Sequence, residues 1–426
     1  MAGKATGTGT FPTMTLSRLS LRDLASERDQ ILTKRFDTLV PALMERAGFE
    51  AWVVNGREYN EDPVLETMLP GHWLTARRRT TLVFTEGGKR RASVSRYPVG
   101  DFEPVWDPEE EPDQWAALAK HLEGTAGRIG INVSSSFALA DGLTASERHE
   151  MVEAMSEAQR NQLKSAKNLA IGWLETRLPE EREPFARGVA NAHEILRRGL
   201  SAEAVTPGET TTDDLTWWLR ERVREVGFGE WFHPGVLVQK PGEGPRGPWD
   251  GYTDRLIEPG DFLHVDFGII TDEGYRTDQQ QHAYVLKDGE TDAPQGMHEG
   301  LRQGNRVQDI LMENMTVGRT GNEALAATIE QAEGEGLRPW IYTHPLGVHG
   351  HAAGATIGLW DHQEGVPGPG DYPINVNTGW SIELAAIVTI PEWDDQDLYI
   401  MLEEDAFLGE DGIAFLDGRQ EQLYLI

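Results

Sequence analysis

The chain has 426 residues, a formal net charge of −31 at pH 7 and no cysteine, which excludes disulfides, cysteine-ligated metal clusters and thiol nucleophiles. So strong a negative charge argues against nucleic acid and anionic membranes as partners. A hydrophobic share of 39% is enough for packed cores, and the length predicts roughly two to three domains.

The first residues, from Met1 to Pro12, contain one lysine and no apolar run. They predict a short flexible tail and do not have the pattern of a secretory signal. No apolar stretch in the chain approaches the roughly 20 residues that a membrane-spanning helix needs. We therefore expect a cytoplasmic protein without a membrane partner.

The first part of the chain predicts an α/β unit. Apolar residues spaced by three and four predict a helix from Leu21 to Ala47, which Pro41 kinks or divides. A second helix is predicted at Gln114–Leu122, and Gly87-Gly88 predicts a hairpin between two of the strands. Four strand-like runs are predicted at Ala51–Val54, Thr80–Phe84, Ala92–Val94 and Arg128–Val133.

A boundary near residue 165 divides this unit, residues 1–165, from a second domain, residues 166–426. The second domain opens with helices and then groups its strands, which favours the α+β class over strict βαβ alternation. The predicted helices are Phe185–Leu200, Thr212–Val226 and a helical stretch over Gln303–Glu335, and the predicted strands are Gly235–Gln239, Phe262–Ile270, Tyr275–Leu286, Trp380–Ile390 and Leu398–Leu408.

Two aspartates stand on one predicted hairpin. Asp266 lies on the polar face of an apolar strand, and the turn Thr271–Gly274 folds the chain back toward Asp278. With the turn centred on residue 272, the two side chains are near-opposite and share a face, with Cβ atoms about 5 Å apart. Facing carboxylates repel unless a cation or a proton lies between them. The alternative is a pair of exposed loop acids.

Two glutamates lie inside later apolar strands. Glu383 follows Ser381-Ile382, and Glu403 follows Ile400-Met-Leu402. Burying a carboxylate is costly unless it is paired or bound to a metal. Glu404 is a rival to Glu403, although Glu403 shares a strand face with Met401.

Three histidines, His344, His349 and His351, fall between these pairs. With one of them, the four carboxylates form a set in the order Asp, Asp, His, Glu, Glu that carries about four negative charges. Oxygen-rich ligation with one imidazole suits Mn, Co, Fe or Zn. The alternative reading of the histidines alone is a polar loop.

This order of residues resembles the creatinase-like "pita-bread" metallopeptidases, which include methionine aminopeptidases, aminopeptidase P and prolidase. The matching stretches are Glu258–Gly268, Gly274–Asp278, Gly350–Gly354, Ser381–Glu383 and Leu402–Asp405. The resemblance implies an α+β fold, with a C-terminal pita-bread metallopeptidase domain preceded by a smaller α/β creatinase-type domain. That extra domain is similar to the one carried by aminopeptidase P, prolidase and creatinase.

The family resemblance implies that two divalent cations, with Mn or Co favoured over Zn or Fe, are ligated by Asp266, Asp278, His351, Glu383 and Glu403. His351 is preferred as the ligand because it fits the Gly/Ser-His-x-x-Gly context and lies 32 residues before Glu383. His344 also has a glycine three residues later but lies 39 residues before Glu383. We therefore expect His344 to line the cleft as a hydrogen-bond donor to substrate.

The resemblance further implies an Xaa-Pro aminopeptidase or dipeptidase that acts on small peptides as a homodimer. A metal-bridging hydroxide would attack the scissile carbonyl, Glu383 would move the proton, and His344 or His349 would stabilise the oxyanion. One departure is the family's second histidine, seven residues after the ligand, which would fall on Gly358. The alternatives are a creatinase- or ectoine-hydrolase-like amidohydrolase and a peptidase-fold binding protein without catalysis.

Overall fold

The computed structural model describes residues 18–247, 251 and 253–426, so the tail predicted for Met1–Pro12 lies outside the described residues. The first unit is a six-stranded mixed sheet in the order β4-β3-β2-β1-β5-β6. Its strands are β1 (Ala51–Arg57), β2 (Arg79–Thr85), β3 (Arg90–Ser95), β4 (Glu103–Pro104), β5 (Ile129–Ile131) and β6 (Leu163–Ser165). Its helices are α1 (Leu21–Lys34), α2 (Val40–Ala47), α3 (Pro63–Met68), α4 (Gln114–His121), α5 (Ala145–Ala154), α6 (Glu157–Gln162) and α7 (Lys167–Glu175).

The sequence-based elements of this unit are confirmed. β2 and β3 form the hairpin around Gly87-Gly88. The long N-terminal helix is interrupted by a π turn at Arg35–Leu39, and Pro41 stands in the first turn of α2. Proline is tolerated there because a first-turn N–H has no intrahelical acceptor.

The boundary near residue 165 stays a prediction. The last strand of the first sheet ends at Ser165, but the helix after it packs into the same core through Leu169, Ile171 and Trp173. Helix α7 is therefore continuous with the packing of the first unit.

The second unit is the predicted α+β domain. Its helices are α8 (Arg182–Gly199), α9 (Thr212–Val226), α10 (Gln295–Asn314) and α11 (Gly321–Gly334). Its strands are β7 (Gly235–Gln239), β8 (Phe262–Phe267), β9 (Gln279–Tyr284), β10 (Pro339–Ile341), β11 (His344–Leu346), β12 (Thr378–Ser381), β13 (Leu384–Ile390), β14 (Gln396–Leu402), β15 (Asp405–Gly409), β16 (Gly412–Phe415) and β17 (Tyr424–Leu425). They form three sheets, in the orders β17-β9-β8-β7, β11-β12-β15-β16 and β10-β13-β14.

Three predicted elements of this domain differ from the structure. The helical stretch over Gln303–Glu335 is two helices, α10 and α11. The strand predicted at Trp380–Ile390 is divided into β12 and β13, and the strand predicted at Leu398–Leu408 is divided into β14 and β15. In both cases the two halves belong to different sheets. Among the described helices, none is both long and apolar enough to cross a bilayer.

Candidate metal centre

Asp266 and Asp278 lie on one face of the β8–β9 hairpin. Asp266 pairs with Gln280, so Asp278 is its diagonal neighbour and not the near-opposite partner that the sequence predicted. The difference arises because the turn closes through the Thr271 N–H and the Tyr275 carbonyl, which centres it on residue 273. The changed centre moves the pairing by two residues, and a shift of two keeps both carboxylates on the same face.

The loop of this hairpin needs a glycine at position 268. A Cβ atom at Gly268 would lie 2.1 Å from the carbonyl oxygen of Thr277, a distance that no side chain tolerates. This close approach holds the end of β8 against the segment that leads into Asp278.

Glu383 and Glu403 occupy the two points where strands pass from one sheet to another. Ser381 pairs with Asp405 in one sheet, whereas Leu384 pairs with Leu402 in the other, so both glutamates fall in the gap between the ladders. The backbone of Glu403 exchanges hydrogen bonds with the backbone of Gln280, which brings β9 and its aspartate alongside. The hairpin and the two strand junctions therefore converge on one place.

His344 enters the same place from β11, where it pairs with Ser381. Its Nε2 atom lies 3.6 Å from a carboxylate oxygen of Glu383, 3.6 Å from one of Glu403 and 3.8 Å from one of Asp278. The side chain is buried, and the Nε2 atom has no hydrogen-bond partner among the described residues. A buried ring nitrogen aimed at three carboxylates without a hydrogen bond has the arrangement of a ligand atom beside a cation.

His351 lies at the exposed edge of this cluster. Its ring is 4.7 Å from the ring of His344 and nearly perpendicular to it, and its other face meets Trp231 at 5.8 Å. Potential ligand atoms of His351, His344 and Asp278 all lie within 4.8 Å of one another. Trp231 packs so closely on the chain between the histidines that a Cβ at Gly350 would lie 2.2 Å from its ring.

The electrostatics of the centre are dominated by buried carboxyl groups. Burial raises the pKa of Asp266, Asp278 and Glu383 well above their usual values, and the negative charge of Glu403 raises each pKa further. Burial and the neighbouring His344 ring lower the pKa of His351 to about 4, so His351 is uncharged near neutral pH. Carboxyl groups in this environment are favoured as ions only when a cation shares the site.

Three polar side chains that the sequence analysis did not single out support the ligand set. The Gln280 amide donates to Glu383 Oε1 at 2.7 Å and to Glu403 Oε2 at 2.6 Å. The Ser381 hydroxyl donates to Glu403 Oε1. Asp405 accepts hydrogen bonds from the backbone N–H of Asp278 and from the side chain of Gln279. Gln280, Ser381 and Asp405 are each two residues from a candidate ligand, so strand alternation is the signal that points to them.

Two of the residues weighed in the sequence lie elsewhere. Glu404 accepts hydrogen bonds from the side chain of Gln281 and the backbone of Gln420, and it contacts His193 at 2.7 Å. His349 lines a cavity between the two domains and belongs to none of the ligand clusters found among the described residues. The centre itself combines Asp266, Asp278, His344, His351, Glu383 and Glu403.

The donor set fits divalent cations. Four carboxylates supply hard oxygen ligands and one buried imidazole supplies nitrogen, a combination suited to Mn, Co, Fe or Zn. A two-domain α+β protein with such a centre where three sheets meet has the architecture of a pita-bread metallopeptidase. The family model of metallopeptidase family M24 matches residues 187–413, and the chain belongs to this family.

Similar proteins carry peptidase names. The "Probable dipeptidase PepE" of Mycobacterium tuberculosis is 29% identical over 164 residues, a match that spans 38% of this chain and only 39% of that protein. The X-Pro aminopeptidase of Thermotoga maritima MSB8 superposes with a TM-score of 0.63 at 17% identity, over 90% of this chain and 99% of that one. The dipeptidase PepE of Mycobacterium ulcerans superposes with a TM-score of 0.63 at 18% identity, over 93% and 98%. These superpositions establish the two-domain fold along almost the whole chain.

Proposed function

We propose that this protein hydrolyses short peptides with proline at the second position, as an Xaa-Pro aminopeptidase or dipeptidase that uses two divalent cations. The observation that carries the proposal is the buried Nε2 atom of His344, which faces three carboxylates at 3.6–3.8 Å without a hydrogen-bond partner among the described residues. Asp266, Asp278, Glu383 and Glu403 would hold the cations together with this imidazole.

We assign the imidazole ligand to His344 in place of His351, which the sequence context favoured. His344 is buried among the carboxylates, whereas His351 is exposed at their edge. The exchange also accounts for the second histidine of the family pattern. Counted from His344, the residue seven positions later is His351 and no longer Gly358.

When bound, the cations would polarise the scissile carbonyl and lower the pKa of the attacking water. Glu383 would take up a proton from that water and deliver it to the leaving nitrogen. The uncharged ring of His351 can donate an N–H to the carbonyl oxygen as negative charge develops there. Gln280 and Ser381 fix the carboxylates of Glu383 and Glu403 in one orientation by hydrogen bonding to them.

The preference for proline has a different basis from the metal chemistry. It comes from the structural neighbours, which include an X-Pro aminopeptidase and the prolidase of Pyrococcus horikoshii OT3, and from the shared two-domain architecture.

The test is release of the N-terminal amino acid from Xaa-Pro dipeptides, from longer Xaa-Pro peptides and from matched Xaa-Ala peptides, with and without added Mn²⁺ or Co²⁺. Metal-dependent cleavage of the proline peptides is the expected result, and the length preference separates a dipeptidase from an aminopeptidase. If metal binds but no peptide is cleaved, the substrate is a different amide, as in a creatinase-like amidohydrolase. If neither metal nor peptide is bound, the proposal is wrong and a non-catalytic role is favoured.

A histidine pair tests the ligand assignment. The change His344→Ala should lower the bound metal per chain, because it removes a ligand. The change His351→Ala should leave metal binding intact and lower kcat about 10²- to 10⁴-fold, as expected for loss of a group that acts on the transition state. His362→Ala, at an exposed position, serves as the control. Full metal binding by the His344 variant together with loss of metal in the His351 variant would restore the assignment based on sequence.

We also propose that the protein is a homodimer, which rests on the family resemblance. Light scattering of the eluting peak from a size-exclusion column measures the mass directly. A mass equal to that of one chain would contradict this part of the proposal.

A further inference from the structure

A cavity of about 400 Å³ lies between the two domains. The first domain contributes α1 and the segment that follows α3, and the second domain contributes Gly274–Arg276 together with Val348 and His349. The carboxylates and imidazoles of the metal centre do not line it. The two spaces nevertheless share their chain segments, because Arg276 lies two residues before Asp278 and His349 two residues before His351.

The deep part of this interdomain cavity has two arginines that share one carboxylate. Glu181 contacts Arg35 at 2.8 Å and Arg177 at 3.2 Å, and the Tyr275 hydroxyl donates to the same carboxylate at 3.0 Å. All four side chains are buried. These groups therefore form one network with an excess of one positive charge, which favours an anionic group in the cavity.

Two other arginines of the cavity have no acidic partner. Arg28 donates to the backbone carbonyl of Glu66 at 3.0 Å, and Arg276 donates to the carbonyls of Gly274 and Val348. Within the described residues, no carboxylate lies within ion-pair distance of either guanidinium. Burial lowers the pKa of Arg276. Arg28 is exposed and Arg276 is half-buried, and both guanidinium groups face this cavity without a direct carboxylate contact in a chain with a net charge of −31.

Two carboxylates, which are opposite in charge to the arginines, also line the cavity but do not contact them. Glu61 accepts a hydrogen bond from the backbone of Ala76 at 3.1 Å, and Glu66 lies on the exposed rim. Glu66 and Arg276 attract each other across the cavity but are not in contact. Trp73 and Ile31 supply apolar surface to the same cavity.

We propose that the interdomain cavity is a second binding site, distinct from the metal centre, for a small zwitterion of the size of an α-amino acid or a dipeptide. Its carboxylate would pair with Arg28 and Arg276, and its ammonium group with Glu61 and Glu66. The volume lies within the range of about 300–1,000 Å³ typical of small-molecule sites. An apolar side chain on the ligand would pack on Trp73.

A ligand bound at this site would affect the metal centre through Arg276. The backbone N–H of Arg276 donates to the carbonyl of Gly347 at 2.7 Å, and its guanidinium holds the carbonyl of Val348. Both carbonyls belong to the loop that connects His344 to His351. A carboxylate that draws the guanidinium away would loosen this loop and change turnover, a consequence that rests on the proposed function.

The binding test uses the metal-loaded protein and isothermal titration with L-leucine. Two analogues each remove one charge: L-leucinamide lacks the carboxylate and 4-methylpentanoate lacks the ammonium group. We expect L-leucine to bind and each analogue to bind at least about tenfold more weakly, because each analogue lacks one of the two charges that the site pairs. The readout is heat of binding, so it is independent of whether Xaa-Pro peptides are cleaved.

Substitutions test whether L-leucine binds in the interdomain cavity. Arg276→Gln and Glu66→Gln should each weaken L-leucine at least about tenfold, whereas the exposed controls Arg22→Gln and Glu123→Gln should not. If Arg276→Gln fails to fold, because its guanidinium also holds Val348, the exposed Glu66 variant still decides the question. Absence of binding at about 10 mM L-leucine, or binding that Glu66→Gln and Arg276→Gln leave unchanged, would overturn the proposal. Unchanged binding that competes with substrate would locate L-leucine at the metal centre only.

Discussion

Loading the metal centre with Mn²⁺ should release protons, because carboxyl groups there hold protons in the metal-free protein. Asp266, Asp278 and Glu383 have pKa values raised well above normal, first by burial and then by the neighbouring carboxylates. Cations bind carboxylates in their ionised form, so each protonated group must lose its proton on binding. These three groups can therefore release up to three protons per chain, and His351, with its pKa near 4, contributes none.

The same pKa shifts set the sign of the pH dependence of stability without metal. Between the ordinary carboxyl pKa, about 4, and the raised folded value, the folded state holds more protons than the unfolded state. The free energy of unfolding of the metal-free protein should therefore fall as pH rises through this window. The slope is about 1.4 kcal/mol per pH unit for each carboxyl that keeps its extra proton. With metal bound the carboxylates are ionised throughout, and the slope should disappear.

The proton count comes from titration calorimetry of Mn²⁺ binding in two buffers that differ in ionisation enthalpy. We expect the count to lie between one and three near pH 6 and to fall as the pH rises and the carboxyls ionise without metal. Glu383→Gln should lower it, and Glu404→Gln should not, because Glu404 faces Gln281 and His193. Stoichiometric metal binding with no proton release near pH 6 would refute the electrostatic reasoning.

Two further substitutions test the groups around the centre and between the domains. Ser381→Ala removes the hydroxyl that donates to Glu403 and should weaken metal affinity about 10- to 100-fold. Competition with a chromogenic chelator measures this affinity. An unchanged affinity would mean that the hydrogen bond does not orient the ligand. Glu181→Gln leaves the buried Arg35 and Arg177 without their shared carboxylate and should cost about 3–5 kcal/mol, measured by urea unfolding. A loss below about 1 kcal/mol would mean that the network stabilises the fold no more than an exposed ion pair does.

Local patterns in the sequence predict much of this fold. The alternation of β8 places Asp266 on the polar face, and the turn with Gly274 places Asp278 on the same face of the returning strand. That relation survives the difference in register, because an even shift does not change the face of a strand. Helix α9 has the bounds predicted from its apolar spacing, Thr212–Val226, and ends at Gly227 with a φ of +84°.

The choice among the histidines could not be made locally. His344 and His351 both have a glycine three residues later, and the local context, with a glycine only before His351, favoured His351. The difference comes from β11, which pairs His344 with Ser381 across a long intervening segment. That pairing depends on tertiary structure, and only then does one ring become buried among carboxylates while the other stays exposed.

The strand junctions explain why buried glutamates are compatible with apolar strands. Ile382 and Leu384 on either side of Glu383 are fully buried in the same core, and a continuous strand would turn the intervening side chain to the opposite face of one sheet. Because the chain changes sheets there, the opposite face is the space where the β8–β9 hairpin arrives, and Gln280 meets Glu403 through the backbone. A slip of one residue in β13 or β14 would exchange each glutamate with an apolar neighbour and bury a charge in the core. The strand pairing that builds the sheets therefore also brings the candidate ligands together. The domain cannot adopt this strand register without forming the metal centre.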